Sequence, residues 1–399
     1  MKRGPSHARR PAVVIAMLLA GFSTLARAVP CASIANAVYV TGSTAAKPLL
    51  AELGRVLVGQ DPPVSIVYQG QGSCNGVDAI LNGTPVLGAG TTAFSYWDRG
   101  GVELKCDAPD GGVVADIGLS DVFASTCFDL PIGLPATVAD YLGPVNTMTF
   151  VVPRSSTEKA ISAEAAYYVY GFGNASGVEP WTDETAIFKR DDSSGTQRMI
   201  AGAIGVDSRR WKGTLTASST DMITQLNNAA TGARAIGILS TDVAQENRST
   251  LKILAYQHVG QTCAFFPDRD ATSNEKINVR DGHYAIWGPL HLLTRLDGRG
   301  APVSPLAADL IGYLTGTKAP PVGVDMIQLA AQQHVIPTCA MRVKRVREVG
   351  PLASVAPVGS CGCYYEKLAN GATTCAACSS AADCPSTAPA CNFGYCETQ

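Results

Sequence analysis

The segment Val64-Ser65-Ile66-Val67-Tyr68-Gln69-Gly70-Gln71-Gly72-Ser73-Cys74-Asn75-Gly76-Val77-Asp78-Ala79-Ile80-Leu81 decides how the rest of the chain is read. The apolar, β-branched run Val64–Tyr68 predicts a strand, a turn of Gly, Gln and Ser follows, and Asn75–Leu81 carries helical spacing. Two further segments share this design. Val40-Thr41-Gly42-Ser43-Thr44 follows a strand predicted over Ala37–Val40 and precedes a helix predicted over Pro48–Val58, with Leu49, Leu50, Leu53, Val56 and Leu57 on one stripe. Arg190-Asp191-Asp192-Ser193-Ser194-Gly195-Thr196 precedes a helix predicted over Thr196–Ile204. Outward from these, strands are predicted at Thr147–Val152, Ala235–Leu239 and Leu251–Ala255, and helices at Ser162–Tyr170 and Ser304–Leu314. Such alternation from Val38 to about Arg347 predicts an α/β body.

A strand, a Gly/Ser/Thr turn and a helix start together make an anion cradle. The first N–H groups of a helix lack partners and carry partial positive charge, a hydroxyl adds a donor, and glycine lets an oxyanion reach the backbone. One such turn is an ordinary helix cap; three of them point to an anionic ligand. Arg190 strengthens the reading, because a guanidinium just before Ser194-Gly195-Thr196 can fork onto two oxyanion oxygens, with Asp192 expected to hold the fork. Asp116-Ile117-Gly118-Leu119-Ser120-Asp121 places a carboxylate, Asp121, after a short apolar run. In an anion site it accepts a hydrogen bond from a ligand that still carries a proton, which a fully ionised oxyanion cannot offer.

Over the 399 residues, 31 Lys+Arg balance 33 Asp+Glu, and 46% of residues are hydrophobic against 16% charged. A net charge of −2 and no basic run beyond the first 28 residues except Arg342–Arg347 argue against nucleic-acid binding. Lys2, Arg3, Arg9 and Arg10, an apolar run over Pro11–Gly21 and Ala26-Arg27-Ala28 read as a secretory signal peptide. Cleavage after Ala28 removes five positive charges and takes the net charge from −2 to about −7. The mature chain is expected to lack a transmembrane segment, since no other stretch approaches ~18 uninterrupted apolar residues.

Thirteen cysteines in an exported chain predict disulfides. Cys361, Cys363, Cys375, Cys378, Cys384, Cys391 and Cys396 crowd the tail, which reads as a separate small module behind a Pro/Ala/Gly linker at Val349–Ser360. The zinc-like spacing Cys375-Ala-Ala-Cys378 has no histidine near it, so disulfides are expected and no metal. The odd thiol either pairs with another chain or stays free. Gly83–Val113 reads as an inserted loop, with Cys106 expected to bridge Cys127 across it.

Enzyme signatures are missing. A nucleophile elbow needs Gly two residues on either side of Ser, but Ser73 has Gln71 and Asn75, and Ser194 has Asp192 and Thr196. The five histidines form no His-Glu-x-x-His pair, and Gly70–Gly76 is one residue off the dinucleotide fingerprint, so neither catalysis nor a cofactor is expected.

The same residues resemble the periplasmic phosphate-binding proteins of high-affinity phosphate ABC importers. Tyr68 to Val77 is similar to that family's Tyr-Gln-Gly-x-Gly-Ser-Ser-Gly-Gly-Val segment, departing at Cys74 and Asn75. Asp116–Asp121 is similar to its Asp-Phe-Gly-Ala-Ser-Asp segment, and Arg190–Thr196 to its Arg-x-Asp-Gly-Ser-Gly-Thr segment. Weaker similarity covers Trp181–Glu184, Ala235–Ile238 and Tyr284–Gly288, so the match spans roughly Val38 to Arg347.

The resemblance implies a two-lobed type II periplasmic-binding-protein fold, here with a small disulfide-rich C-terminal module. It implies lobe I over residues 29–148 with 285–349, lobe II over 149–284, and a linker and tail over 350–399. The chain would cross between lobes near Pro144–Val152 and Tyr284–Leu290. Carried over by position, Ser73 bonds phosphate, Asp121 accepts its proton, and Arg190, Ser194, Gly195 and Thr196 supply donors from the other lobe, with Asp192 orienting Arg190. In the first turn Ala45-Ala46-Lys47 departs from the family's bulky residue, and Ser43 and Thr44 take the ligand role. The implied function is capture of inorganic phosphate by a periplasmic or secreted monomer that delivers it to an ABC permease. The alternatives are a surface or extracellular interaction protein working through the Cys-rich tail, and a receptor for another tetrahedral oxyanion or a phosphate ester.

Overall fold

Strands that end in the glycine turns lie side by side in one sheet. A computed structural model describes residues 1, 29–86, 94–230 and 232–398; nearly all of the expected signal peptide, and residues 87–93 of the expected insertion, lie outside them. Ten strands build the main sheet: β1 (Val29–Pro30), β2 (Ala37–Gly42), β3 (Ser65–Gly70), β4 (Phe94–Trp97), β5 (Glu103–Asp107), β6 (Ile117–Ser120), β7 (Val138–Pro153), β8 (Gly237–Ser240), β9 (Leu251–Ile253) and β10 (Trp287–Arg295). Their order is β1-β5-β4-β3-β2-β6-β10-β7-β8, with β9 also on β7. β2 runs parallel to β3 and β6, so Gly42, Gly70 and Leu119 finish at one edge.

Helices α1 (Lys47–Leu57), α2 (Ser73–Leu81), α3 (Ala124–Cys127), α4 (Ala163–Phe172) and α5 (Gly195–Ile204) follow the predicted pattern, except that the single turn α3 was not predicted. Helices α6 (Thr241–Glu246), α7 (Pro305–Thr315), α8 (Met326–Gln332) and α9 (Gly362–Asn370) complete the set used here. The α1 stripe buries Leu49, Leu50, Leu53 and Leu57 on one sheet face, beside Leu310, Ile311 and Leu314 of α7. Each such leucine contributes about 1.5–3 kcal/mol. The opposite face is covered by Val77 and Ile80 of α2, packed with Phe94 and Leu293. A second core surrounds Phe150, Tyr170, Ile200, Ile238 and Tyr256.

β7 joins the two lobes. Its first ten residues pair with β10, and from Met148 onward it pairs with β8 and β9. Only Thr147–Val152 is expected as a strand, whereas β7 runs on through Gly143-Pro144. In the sheet those residues sit where the register slips against Pro289–His291, a bulge that tolerates proline without a ladder donor.

Several expectations are corrected. Cys106 bonds Cys31, not Cys127, because β5 pairs with β1 at Val29↔Cys106; Cys127 on α3 bonds Cys74 on neighbouring α2. The Gly83–Val113 segment is not merely a loop, since β4 and β5 form an antiparallel hairpin within it. The tail contains Cys363–Cys375, Cys378–Cys391 and Cys384–Cys396, while Cys339–Cys361 staples it to the body. Its α9 packs on α8, buries Tyr365 beneath the Arg280 guanidinium at 5.7 Å, and sends the Tyr364 hydroxyl to Asp325 Oδ2 at 2.7 Å. The odd thiol is Cys263, free and exposed. Among the described residues no helix is long and apolar enough to cross a membrane.

Candidate functional site

Parallel strands leave their C-terminal ends together, and in open α/β sheets that edge is where ligands bind. Gly42, with φ +123°, makes the sharp exit of β2; a Cβ there would lie 2.0 Å from Leu119 O. The freed backbone is used at once, since Ser43 N donates to Leu119 O and both Gln71 N and Gly72 N donate to Gly42 O, all within 2.9–3.0 Å. The turns after β2, β3 and β6 are thereby locked to one another.

Their side chains converge on Asp121. Ser43 Oγ donates to Asp121 Oδ2 at 2.5 Å and Ser73 Oγ to the same oxygen at 3.0 Å, while Asp121 N donates back to Ser73 Oγ at 3.1 Å. The buried Tyr68 hydroxyl, not anticipated from the sequence, fixes Ser43 through its carbonyl at 2.6 Å. Asp121 is 2% exposed, and its Oδ1 closes no hydrogen bond among the described residues, with the Asn146 side chain standing near the carboxyl. Burial raises the Asp121 carboxyl above its ordinary pKa, against the pull of Ser43, Ser73 and Asn146 and the field of His291. Thr44 lies half-buried in the same turn, with Cγ2 toward Gly70. The departure at Cys74 from the family pattern is the bridge to Cys127, which ties the Ser73 turn to the helix just after Asp121.

The opposing wall is the start of α5. Ser194 caps the helix by accepting from Gln197 N, and Thr196 Oγ1 reaches Met148 Sδ at 3.4 Å. Gly195 lies directly against the first wall: a Cβ there would come 2.2 Å from Ser73 Oγ and 3.0 Å from Asp121 Oδ2. The turns also touch through Cys74 N, which donates to Ser193 O at 3.1 Å. Of the eight residues expected at the ligand, Ser43, Ser73, Asp121 and Gly195 meet directly, while Thr44, Ser194, Thr196 and Arg190 lie buried or half-buried on the turns that carry them.

Arg190 is 3% exposed. Its backbone N–H donates to Gln197 Oε1 at 2.9 Å and its Nη2 to Ala217 O at 3.3 Å, but Nε closes no hydrogen bond among the described residues. Burial lowers its pKa, opposed by the fields of Asp191, Asp121 and Asp221. The carboxylate beside it is Asp191, at 4.0 Å. Asp192 does not orient Arg190 as expected: it accepts from Arg198 Nη2 at 2.5 Å and from the Ser208 hydroxyl. The reason is local. The tight turn before α5 turns Asp192 onto the helix's own Arg198, one turn along, where two donors are already in place.

Beyond the ligand residues, the lobes meet through Arg198 Nη1, which donates to Thr126 O at 3.0 Å, and the same turn is held from the end of the body by Glu348, which accepts from Phe123 N at 2.8 Å and from the Thr126 hydroxyl. A separate cavity of about 770 Å³ lies between α7, α8 and the tail, walled by Leu314, Met326, Tyr364 and Phe393. Its lining is predominantly apolar and lacks a buried cation, so it does not suit an oxyanion.

A family model described as a PBP superfamily domain matches residues 30–318. Among solved structures, a Clostridium perfringens protein assigned as a phosphate ABC transporter substrate-binding protein, with bound phosphate, has a TM-score of 0.52 at 14% identity, over 76% of this chain and 100% of that one. An ABC-type phosphate transport receptor from Vibrio cholerae has a TM-score of 0.47 at 17% identity, over 75% and 99%. No curated protein matches. The fold likeness agrees with the family match, which covers most of the body: this chain belongs to the PBP superfamily, the two-lobed periplasmic-binding-protein family.

Proposed function

We propose that this protein is an exported receptor that captures inorganic phosphate between its lobes and hands it to an ABC permease. The observation that carries the reading is the buried pair of walls, Ser43, Ser73 and Asp121 facing Arg190, Ser194, Gly195 and Thr196, built on turns at strand ends. Arg190 supplies charge, the α5 N–H groups and the hydroxyls supply donors, and Asp121 accepts the ligand's proton. Lobe I (29–148 with 285–349) and lobe II (149–284) close about β7 near Thr147–Met148 and the facing Ile286–Trp287, where β7 exchanges β10 for β8 as its partner.

About ten charge-assisted hydrogen bonds, set against desolvation and closure, leave on the order of −8 kcal/mol, a micromolar site. Selectivity comes from Asp121. Sulfate at neutral pH has no proton to offer it, and a site built around a buried acceptor rejects such a ligand by about 10⁴. Calorimetric titration of the refolded, ligand-stripped chain tests this: one phosphate per chain with little response to sulfate supports it, and equal affinity for both contradicts it.

A further inference from the structure

The second lobe repeats the edge geometry of the first. Ile187 and Ile236 form a parallel bridge, and Phe188 N donates to Ile236 O at 2.8 Å. From that bridge the segment that ends at Arg190 and the one that ends at Ser240 run in the same direction. Ser240, Thr241 and Asp242 consequently emerge at the same edge as Arg190 to Thr196. Ser240 is also the cross-strand neighbour of Met148, whose sulfur touches Thr196 Oγ1.

These three side chains are 1%, 0% and 3% exposed. Ser240 Oγ, Thr241 Oγ1 and Asp242 Oδ1 close no hydrogen bond among the described residues, the condition shared by Asp121 Oδ1 and Arg190 Nε. A buried polar atom without a partner costs about 1–3 kcal/mol. Three of them on consecutive residues, at a ligand edge, call for something that completes them, and no role had been assigned to them from the sequence.

We propose that Asp242, flanked by Ser240 and Thr241, is a second carboxyl partner of the bound oxyanion, so that the cleft holds two protons between phosphate and its two aspartates rather than one. The inference rests on the phosphate-receptor reading. An ionised carboxylate only accepts, so two of them at one ligand require two donors. Whether the second proton sits on phosphate or on Asp242, the contact is the same O–H···O bond.

The charged neighbours of Asp242 fit this. Burial pushes the Asp242 carboxyl up to about 6, opposed by the nearby Ser240 hydroxyl and Val243 N–H and aided by the field of Asp121 at the end of β6. Lys276 faces Asp242 from the other side, already bonded to Gln245 Oε1 at 2.7 Å and Asp268 Oδ1 at 3.1 Å. Among the strands that pack on α6, β9 carries Lys252, which donates to Ser156 O at 2.5 Å, and β7 carries Asp140 and Tyr141 at its far end, Asp140 bonded to His291 at 2.7 Å. On α6 itself Glu246 bonds His334 at 3.0 Å.

Proton uptake on binding is the readout. At about pH 8 free phosphate carries mainly one proton, so a site that holds two must take one from solution. Phosphate is titrated into the full oxidised chain in buffers of low and high ionisation enthalpy, for wild type and Asp242→Asn. The expected result is about one proton taken up by wild type, with affinity falling about tenfold from pH 8 to pH 9, and about none taken up by D242N. Binding without proton uptake in wild type overturns the inference and leaves the receptor reading intact. Binding with the same uptake in D242N also overturns the assignment to Asp242. Absence of phosphate binding in wild type overturns the receptor reading, and this inference with it. Should D242N misfold, the wild-type proton count alone decides.

Discussion

The two walls of the cleft are built differently. On the first, Ser43 and Ser73 both donate to Asp121 Oδ2, so the wall is largely satisfied within itself. On the second, Arg190 Nε, Ser240 Oγ, Thr241 Oγ1 and Asp242 Oδ1 have no partner among the described residues. A ligand gains most by completing the second wall. At the first it must draw two hydroxyls away from a carboxylate, which is favourable only if it gives that carboxylate a proton in exchange. Affinity is therefore assigned chiefly to the second wall and selectivity to the first.

The largest test of that division is Arg190→Met. On the proposed reading this removes the buried cation of the phosphate site, which costs about 3–5 kcal/mol, a loss of phosphate affinity of 100-fold or more, read by calorimetry. Retained affinity would break the comparison. Next comes the stability of the unliganded protein. Asp242 is raised from 3.8 to about 6 in the folded state, so the folded chain binds the extra proton and is relatively stabilised below about pH 4; this stability is lost as pH rises through 6. The loss amounts to about 3 kcal/mol by pH 7, and Asp242→Asn removes it, as denaturant midpoints at pH 4 and pH 7 would register.

Asp121→Asn sharpens the other half. An amide can turn its NH₂ toward an unprotonated oxygen, so the preference for phosphate over sulfate is expected to contract by about 10- to 100-fold. An unchanged ratio would move selectivity elsewhere. The smallest effect is expected at Asp192, which belongs to the second wall by sequence but bonds Arg198 and Ser208. Asp192→Asn is predicted to cost about 1 kcal/mol of stability and to change phosphate affinity less than threefold. A loss approaching that of Arg190→Met would restore the role first expected for it.

The first wall was more legible than the second because its chemistry is written into continuous strand–turn–helix segments. Gly42, Gly70 and Gly72 mark the turns, and Ser43, Ser73 and Asp121 follow at fixed offsets, so the residues could be named before their contacts were seen. Tyr68 was invisible as a positioning group, since an aromatic at the end of an apolar strand reads as core, and burial and hydrogen bonding are compatible. Ser240-Thr241-Asp242 has no glycine turn to mark it in the sequence; only the parallel pairing of Ile187 with Ile236 brings its strand beside the segment that leads to Arg190. The disulfide pairs could not be read from spacing, because Cys31 reaches Cys106 through strand pairing across a separation of 75 residues. The tail's attachment was hidden for a similar reason. Tyr364 and Tyr365 are adjacent in a mixed polar segment of the sequence, yet Tyr365 alone is fully buried against the second-lobe core.

The most direct measurement is titration of the ligand-stripped, oxidised chain with phosphate and with sulfate at neutral pH. The account predicts one phosphate bound per chain at about micromolar affinity, with sulfate weaker by about 10³–10⁴. Equal binding of the two anions, or heat from neither, would contradict it.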